Sequence, residues 1–376
     1  MEKGLIEYFL ALVGLESESL NERLIMDRLK TDLSSLGFTV EEDDANLKTG
    51  GNAGNLYAWL PGNLEMEPLL FCAHVDTVRP GRNIKPQITE DKITSDHTTV
   101  LGSDDKSGVA QIIWGIKEYL QSNQQHPPLE ILFTISEEIG LLGARFFDKT
   151  MLKSKIGFAF DSEDINEVMI AAPSQNIINI TIYGKEAHAG VEPEKGINAI
   201  RVASEAISAI PLGRLDEETT ANIGIIEGGI ATNIVPNKVV IKGEARSHDA
   251  TKLAQVTRKI VQTFEETAAR HTLGEHFAKA EIDVHDEYHA FCLELSHPAV
   301  KMVKAAMERL YISPHFVKGG GGSDANIFNA EGIAMPIIGT GMKNCHTVDE
   351  YILLKDLETG ARLVQELIKV YTEGAF

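Results

Sequence analysis

The sequence predicts an α/β fold: a mostly parallel sheet flanked by helices, built from both ends of the chain, with a smaller α+β module inserted in the middle. Three observations carry this expectation. Up to residue 172, short apolar runs of strand length alternate with stretches whose apolar residues recur at helical spacing. From 173 to 286 the order becomes strand, helix, strand, strand, helix, strand, the split β-α-β arrangement of a ferredoxin-like module. From 287 onward helix–strand alternation returns. The expected domains are therefore 1–172 with 287–376, and 173–286.

Local signals justify each element. Residues 4–13 and 20–36 have amphipathic helical spacing, the second stopped by Gly37. Strands are expected at 54–60 and 68–76, separated by the turn signal Pro61-Gly62. Over 106–121, Val109, Ile112, Ile113, Ile116, Tyr119 and Leu120 recur at helical spacing. Pro127-Pro128 then precedes a strand at 129–136, a helix at 140–149 and a strand at 156–161. In the middle segment, alternation marks strands at 176–184, 221–226, 236–245 and 278–286, with helices at 196–209 and 250–272. Helices at 297–311, 323–330 and 355–372 and a strand at 335–339 complete the expectation.

Composition narrows the class. With 376 residues, 43% hydrophobic and 24% charged, the chain is long enough for two domains and has the balance of a soluble globular protein. A net charge of −20 argues against nucleic acid and anionic membrane as partners, but not against metal cations. No stretch reaches the roughly 18 apolar residues of a membrane span. The first residues, from Met1 to Glu7, lack a basic region and a cleavage site, so no signal peptide is expected. Cys72, Cys292 and Cys345 are too few and too dispersed for a disulfide framework, which predicts a reducing, cytoplasmic location. Cys72 and Cys345 are expected to be packing residues.

Acidic residues and histidines stand where strands should end. His74-Val75-Asp76 closes an apolar run, and Asp104 and Asp105 lie in the glycine-flanked stretch Gly102-Ser103-Asp104-Asp105-Lys106-Ser107-Gly108. Glu137 and Glu138 follow the strand expected to end at 136, Asp161 closes another, and His346 lies far down the chain in Cys345-His346-Thr347. Among 55 acidic residues, pairs on a solvated surface arise by chance, so no single segment carries weight. Their shared placement does, because open α/β sheets form their binding crevice at the carboxyl ends of strands. Imidazole and carboxylate are the ligands of a hydrolytic zinc site, and this set suffices for two metals and a general base. His74 and Asp76 are two apart, so a regular strand points both to one face. Lys106 reads as a solvated side chain.

Taken together, His74-Val75-Asp76, the 102–108 stretch, Ser136-Glu137-Glu138-Ile139-Gly140, Phe160-Asp161-Ser162 and Cys345-His346-Thr347 resemble a known set. In order and spacing they are similar to the zinc-dependent exopeptidase and amidohydrolase family of peptidase T, glutamate carboxypeptidase, aminoacylase and succinyl-diaminopimelate desuccinylase. Within it they most resemble the peptidase T-like branch. The resemblance implies two divalent ions per chain, zinc or alternatively cobalt or manganese, held by His74, Asp104, Glu138, Asp161 and His346. It implies that Asp104 bridges them and is followed by a cis peptide; a bridging Asp105 with Asp104 exposed stays open. It gives Asp76 the task of holding His74 through its other ring nitrogen, and Glu137 that of general base. It makes the inserted module a dimerisation domain. There His188 reaches the partner subunit's site and stabilises the oxyanion, while Asn233 and Arg246 bind the substrate carboxylate, to which a guanidinium fork is suited. The implied partners are a short peptide or N-acyl amino acid substrate and a second copy of the chain in a homodimer.

One departure bears on specificity. Peptidase T carries an arginine immediately before a Gly-Gly-Thr-Asp turn, used for the peptide's C-terminal carboxylate. Here the aligned position is glycine and Lys318 stands two residues earlier, in Lys318-Gly319-Gly320-Gly321-Gly322-Ser323-Asp324. A point charge on a flexible stem is not equivalent to a fork, so strict tripeptide specificity is not expected. The expected activity is metal-dependent hydrolysis of an amide bond in short peptides. The alternatives are an amidohydrolase acting on N-acyl amino acids or another non-peptide amide, and a catalytically dead metal- or peptide-binding protein. The intact Glu137 argues against the last.

Overall fold

The computed structural model describes residues 2–376 in two compact units. One comprises the chain up to Ala171 with Cys292–Gly319 and Ser323–Phe376; the other is Ala172–Phe291 with Gly320–Gly322. These bounds differ from the expected 173–286 for local reasons. The last long strand of the second unit runs on to Tyr288, and a Cβ on Gly322 would lie only 2.1 Å from the Tyr288 ring, so the glycine tract is held against it.

The first unit is built on a nine-stranded sheet. Strands Thr39–Glu42, Leu56–Leu60, Leu129–Thr134, Leu69–His74, Ile156–Ser162, Ile337–Gly339 and Glu167–Ala172 lie side by side in that order. Its centre is parallel: Leu69–His74 pairs in parallel with both neighbours, and Ile337–Gly339 pairs in parallel with Ile156–Ser162. Leu69–His74 and Leu129–Thr134 are buried along their whole length, which is why they read as unbroken apolar runs and not as alternating ones. Thr39–Glu42 alternates between exposed and half-buried positions at the sheet edge. Its Glu41 and Glu42 lack β propensity, so sequence patterning gives it no strand.

The helix Ser103–Gln121 enters with Asp104 (φ −80°, ψ 105°) and Asp105 (φ −118°, ψ 29°) outside helical geometry, so regular winding begins at Lys106, where the apolar spacing predicts it. The helix expected at 140–149 is shorter, Leu142–Phe146, because the Asp148 side chain takes the Thr150 N–H and starts a separate turn. No described helix is long and apolar enough to cross a membrane.

The second unit carries strands Thr219–Gly228, Lys238–Ser247, Ser174–Tyr183 and Lys279–Tyr288, adjacent in that order and antiparallel throughout. The helices Ala199–Ala209 and Ala250–Arg270 pack on this sheet through Val202, Ile260 and Phe264, which meet Ile178, Ile180, Val239 and Ile241 in one core.

Two glycines set a close approach in the first unit. Ser103–Gln121 packs on Leu354–Glu373, where a Cβ on Gly115 would meet the Ala361 carbonyl oxygen at 2.4 Å and Val364 Cβ at 2.7 Å, and one on Gly360 would meet the Gln111 amide at 2.1 Å. The neighbours of Gly115 are a backbone oxygen and a Cβ, which cannot swing aside as the Gln111 amide beside Gly360 can. Gly115→Val is therefore expected to lower the free energy of unfolding in urea by about 1–3 kcal/mol, the range for overpacking. Gly320→Ala, whose Cβ would meet nothing within 4 Å, should stay within about 0.5 kcal/mol of the parent.

Candidate metal centre

His74 ends its buried strand and is itself buried. Its Nε2 lies 3.0 Å from Asp104 Oδ1 and 3.7 Å from Asp161 Oδ1. The other oxygen of Asp104, Oδ2, is 3.1 Å from His346 Nε2, which in turn is 3.0 Å from Glu138 Oε1. Asp104 thus stands between two imidazoles with one oxygen toward each. Asp161 joins it on the His74 side and Glu138 on the His346 side.

Asp105 is engaged elsewhere. Its Oδ2 accepts the His74 backbone N–H at 3.3 Å and its Oδ1 accepts that of Gly108 at 3.2 Å. Ligand atoms of His74, Asp104 and Glu138 lie within 4.8 Å of one another, as do those of His74, Asp105 and Asp161. Asp105 enters the second group by proximity, but both its oxygens already hold backbone donors. Asp104 is buried, not exposed, and the peptide that joins it to Asp105 is cis.

Asp76 orders two elements at once. Its Oδ1 is 3.4 Å from His74 Nδ1 and accepts the Glu137 N–H at 2.9 Å; its Oδ2 accepts the Glu138 N–H at 3.2 Å and the Ser19 hydroxyl at 2.7 Å. The turn Glu137–Ile139 that carries both glutamates is entered through Ser136 at φ 52°. Ser136 is pinned by Glu22, whose Oε1 accepts its N–H (3.1 Å) and hydroxyl (2.8 Å).

The electrostatics are those of too much buried negative charge. Burial pushes the Asp105 and Glu137 carboxyls well above the usual carboxylate range. Burial also lifts Asp161 to about 7, with Asp104 adding to it and His74 opposing it. Burial raises Glu138 against the His346 contact. Asp104 goes the other way: its burial is outweighed by the bonds from His346 and His74, which hold it below the usual range. Contacts with Asp104 and Glu138 push His346 up to about 10. Glu138 Oε1 is buried with no hydrogen-bond partner despite its 3.0 Å approach to His346. Carboxylates and imidazoles converging with unspent charge and an orphaned oxygen fit divalent cations, whose positive charge would replace protons on these groups.

Several participants escape sequence reasoning. Ser19-Leu20-Asn21-Glu22 has the form of a capping box, yet Ser19 turns to Asp76 and Glu22 to Ser136, and the helix starts only at Arg23. Lys106 is fully buried and not solvated: its Nζ donates to the Leu15 carbonyl at 2.8 Å, and burial pulls it down to about 7 against the charge of Glu350. Asp324 is buried beside the cluster, accepting from Thr134, with its Oδ1 unpartnered, and the Ser323 hydroxyl donates to Asp161 at 2.7 Å. A serine-aspartate pair after a glycine run is the one signal that could have pointed there.

The remaining candidates lie apart in sequence and are arranged differently. Lys318 ends the strand His315–Lys318 of the first unit, exposed. In the second unit, His188 and Asn233 are both exposed and adjacent: Ala189 N–H donates to the Asn233 carbonyl at 2.9 Å, and His188 bridges to Ile234. Gly190 N–H donates to His188 Nδ1 at 3.2 Å. Arg246 is half-buried, its Nε and Nη2 donating to the two oxygens of Glu244 at 3.1 and 3.0 Å.

Comparison with known proteins places this geometry. The sequence profile of Peptidase family M20/M25/M40 matches residues 70–370. The uncharacterized protein YqjE of Bacillus subtilis (strain 168) is 40% identical over 369 residues, 98% of each chain. The crystal structure of aminopeptidase PepT from Bacillus cereus ATCC 10987 is similar with a TM-score of 0.88 and 39% identity, over 98% of each chain. That of a tripeptidase from Staphylococcus aureus subsp. aureus Mu50 is similar with a TM-score of 0.93 and 36% identity, over 99% of each. A profile match over most of the chain, on a site whose charge calls for cations, means that the chain belongs to peptidase family M20/M25/M40 and is a metal-dependent peptide hydrolase.

Proposed function

We propose that the protein is a dinuclear exopeptidase of the peptidase T kind that cleaves short peptides in the cytoplasm, with Glu137 as general base. The observation that carries this reading is the position of Asp104, one oxygen toward His74 and the other toward His346, beside the half-buried Glu137, which has no ligand task. Asp104 would be shared by two cations, with His74 and Asp161 completing one set and Glu138 and His346 the other. The nitrogen and oxygen donors suit zinc, with cobalt or manganese as substitutes. When bound, such cations acidify water and polarise the scissile carbonyl.

The chain's own residues supply the rest. Asp76 Oδ1 lies 3.4 Å from His74 Nδ1, where it would accept that N–H and leave Nε2 as the atom that faces a cation. Glu137 removes the proton of the attacking water and returns it to the leaving amine. Relatives named aminopeptidase and tripeptidase at 39% and 36% identity favour a peptide over an N-acyl amino acid. The unpaired Cys72, Cys292 and Cys345 suit a reducing compartment.

The second unit supports a homodimer and a role for His188. The short strand Gly213–Arg214 covers Thr219–Gly228 only at Thr220 and Ala221, and beyond them the strand exposes Ile225 and Ile226 on an edge open to pairing with a second copy. With Nδ1 of His188 accepting from Gly190, Nε2 carries the proton and is a donor for an oxyanion in the partner's site. Asn233, beside His188 and at the opposite end of the sheet from Arg246, would reach the substrate carboxylate from the partner subunit, while Arg246 offers its Nη1 edge from its own subunit, since Glu244 already takes Nε and Nη2. Lys318 would add a point charge, giving a loose preference among di-, tri- and longer peptides.

Chelation is expected to abolish peptide hydrolysis, and zinc, cobalt or manganese to restore it, with metal analysis finding two ions per chain. Full activity in a metal-free preparation would end this reading. Glu137→Gln should keep both ions and lose on the order of 10²–10⁴ in kcat; a variant that loses metal instead would show Glu137 to be a ligand. Mixing inactive His188→Ala with inactive Glu137→Gln chains should recover roughly a quarter of wild-type sites, because half the dimers are mixed and each has one complete site. Verified subunit exchange with no recovery would place His188 in its own subunit's chemistry or in none.

A further inference from the structure

Four residues beyond His346, Glu350 is 1% exposed and points back at the loop that carries Asp104. Its Oε1 accepts the Ser103 hydroxyl at 2.6 Å and the Asp104 N–H at 2.9 Å; its Oε2 accepts the Gly102 N–H at 2.7 Å. Three donors at the non-helical entry of Ser103–Gln121 are thus collected on one carboxylate. At its own end, the Glu350 N–H donates to the Thr347 carbonyl at 3.2 Å, which closes a turn over 347–350 directly after His346. The fully buried Lys106 follows on the same loop and is anchored on the Leu15 carbonyl, to which its Nζ donates at 2.8 Å. The proposed chemistry gives Glu350 no task.

The two ligand sets differ in how they are supported. His74 and Asp161 sit on central strands of the sheet. His346 sits on a loop at φ 64° with its side chain 55% exposed, so no packing fixes its distance from Asp104. We infer that Glu350 is a positioning residue that ties the His346 turn to the Asp104 loop and so holds the Asp104, Glu138 and His346 set at the spacing a cation needs. This rests on the dinuclear reading above and deepens it: one of the two sites is built into the sheet, and the other is held by a carboxylate strut.

The chemistry of the strut makes it sensitive to charge and to hydrogen-bond polarity. Glutamine has one acceptor oxygen and one NH₂ group. In either orientation of the amide, the NH₂ faces at least one backbone N–H, of Gly102 or of Asp104, and pushes it away.

The test is a stepwise zinc titration of the full-length apoprotein against a chromophoric chelator, with wild type, Glu350→Gln and Ser103→Ala, and a thermal melt of each apoprotein. Wild type should show two binding steps. Glu350→Gln should weaken one step by about 10–100-fold, as is typical when a residue supporting a metal ligand is altered, and the other, which shares only Asp104 with it, by much less. Ser103→Ala, which removes one of the three bonds, should weaken the same step by less. At saturating zinc, Glu350→Gln should regain kcat with an unchanged KM for peptide. Two unchanged steps in Glu350→Gln overturn the strut and leave the dinuclear reading intact. Equal weakening of both steps, or an apoprotein melt lowered while Ser103→Ala binds zinc as wild type does, also overturns it, since that is general destabilisation. A wild type with no zinc step overturns both.

Discussion

Burying carboxylates is the constraint on which the rest of the first unit depends. Asp104, Asp105, Glu137, Glu138, Asp161 and Asp324 converge on His74 and His346, and burial of an unpaired carboxylate costs several kcal/mol. The fold meets this cost in two ways. Some oxygens are given backbone N–H groups, as Asp76 receives those of Glu137 and Glu138, and Asp105 those of His74 and Gly108. Others are left with capacity unspent, as with Glu138 Oε1 and Asp324 Oδ1, and these mark where positive charge is wanted from outside.

That distinction also explains the N-terminal segment. Ser17, Ser19 and Glu22 reach Val75, Asp76 and Ser136, so a polar run that precedes the helix Arg23–Ser35 acts as a brace around the strand end and the glutamate turn. The brace makes no contribution to a hydrophobic core. It matters because a strand end carrying His74 and a turn carrying Glu137 come from different parts of the chain and must be held in one register, and a shared hydrogen-bond acceptor does this more stringently than packing.

How much of this was legible depended on periodicity and on side-chain direction. The central strands and the helices Ser103–Gln121, Ala250–Arg270 and Leu354–Glu373 follow from apolar spacing, because burial on a sheet or helix face imposes a period on the sequence. The pairs Asp104–Asp105 and Glu137–Glu138 stand out because they flank predicted elements, while the choice of Asp104 and Glu138 within them comes from the family resemblance. Lys106, Glu22 and Glu350 could not. A buried charge has no period, and what redeems it is a partner far away in sequence: Leu15 for Lys106, Ser136 for Glu22, and Gly102 for Glu350. The short strand Glu167–Ala172 was illegible for a related reason. It pairs with Ile337–Gly339 and His315–Lys318, so its stability is set by neighbours that the local sequence does not announce.

The slot filled by Ile337–Gly339 has a consequence for synthesis. It lies between Ile156–Ser162 and Glu167–Ala172, which are consecutive in the chain. A ribosome adding about 5–20 residues per second leaves that slot open for roughly ten to thirty seconds while the intervening segments are made. Through that interval both flanking strands present bare edges that another nascent chain could fill. His346 emerges just after the filling strand, so the segment that closes the sheet also brings the last imidazole to Asp104. A half-made chain is thus sticky but cannot have a complete cation-binding cluster, and the capacity to cut peptides arrives together with the end of its own vulnerability.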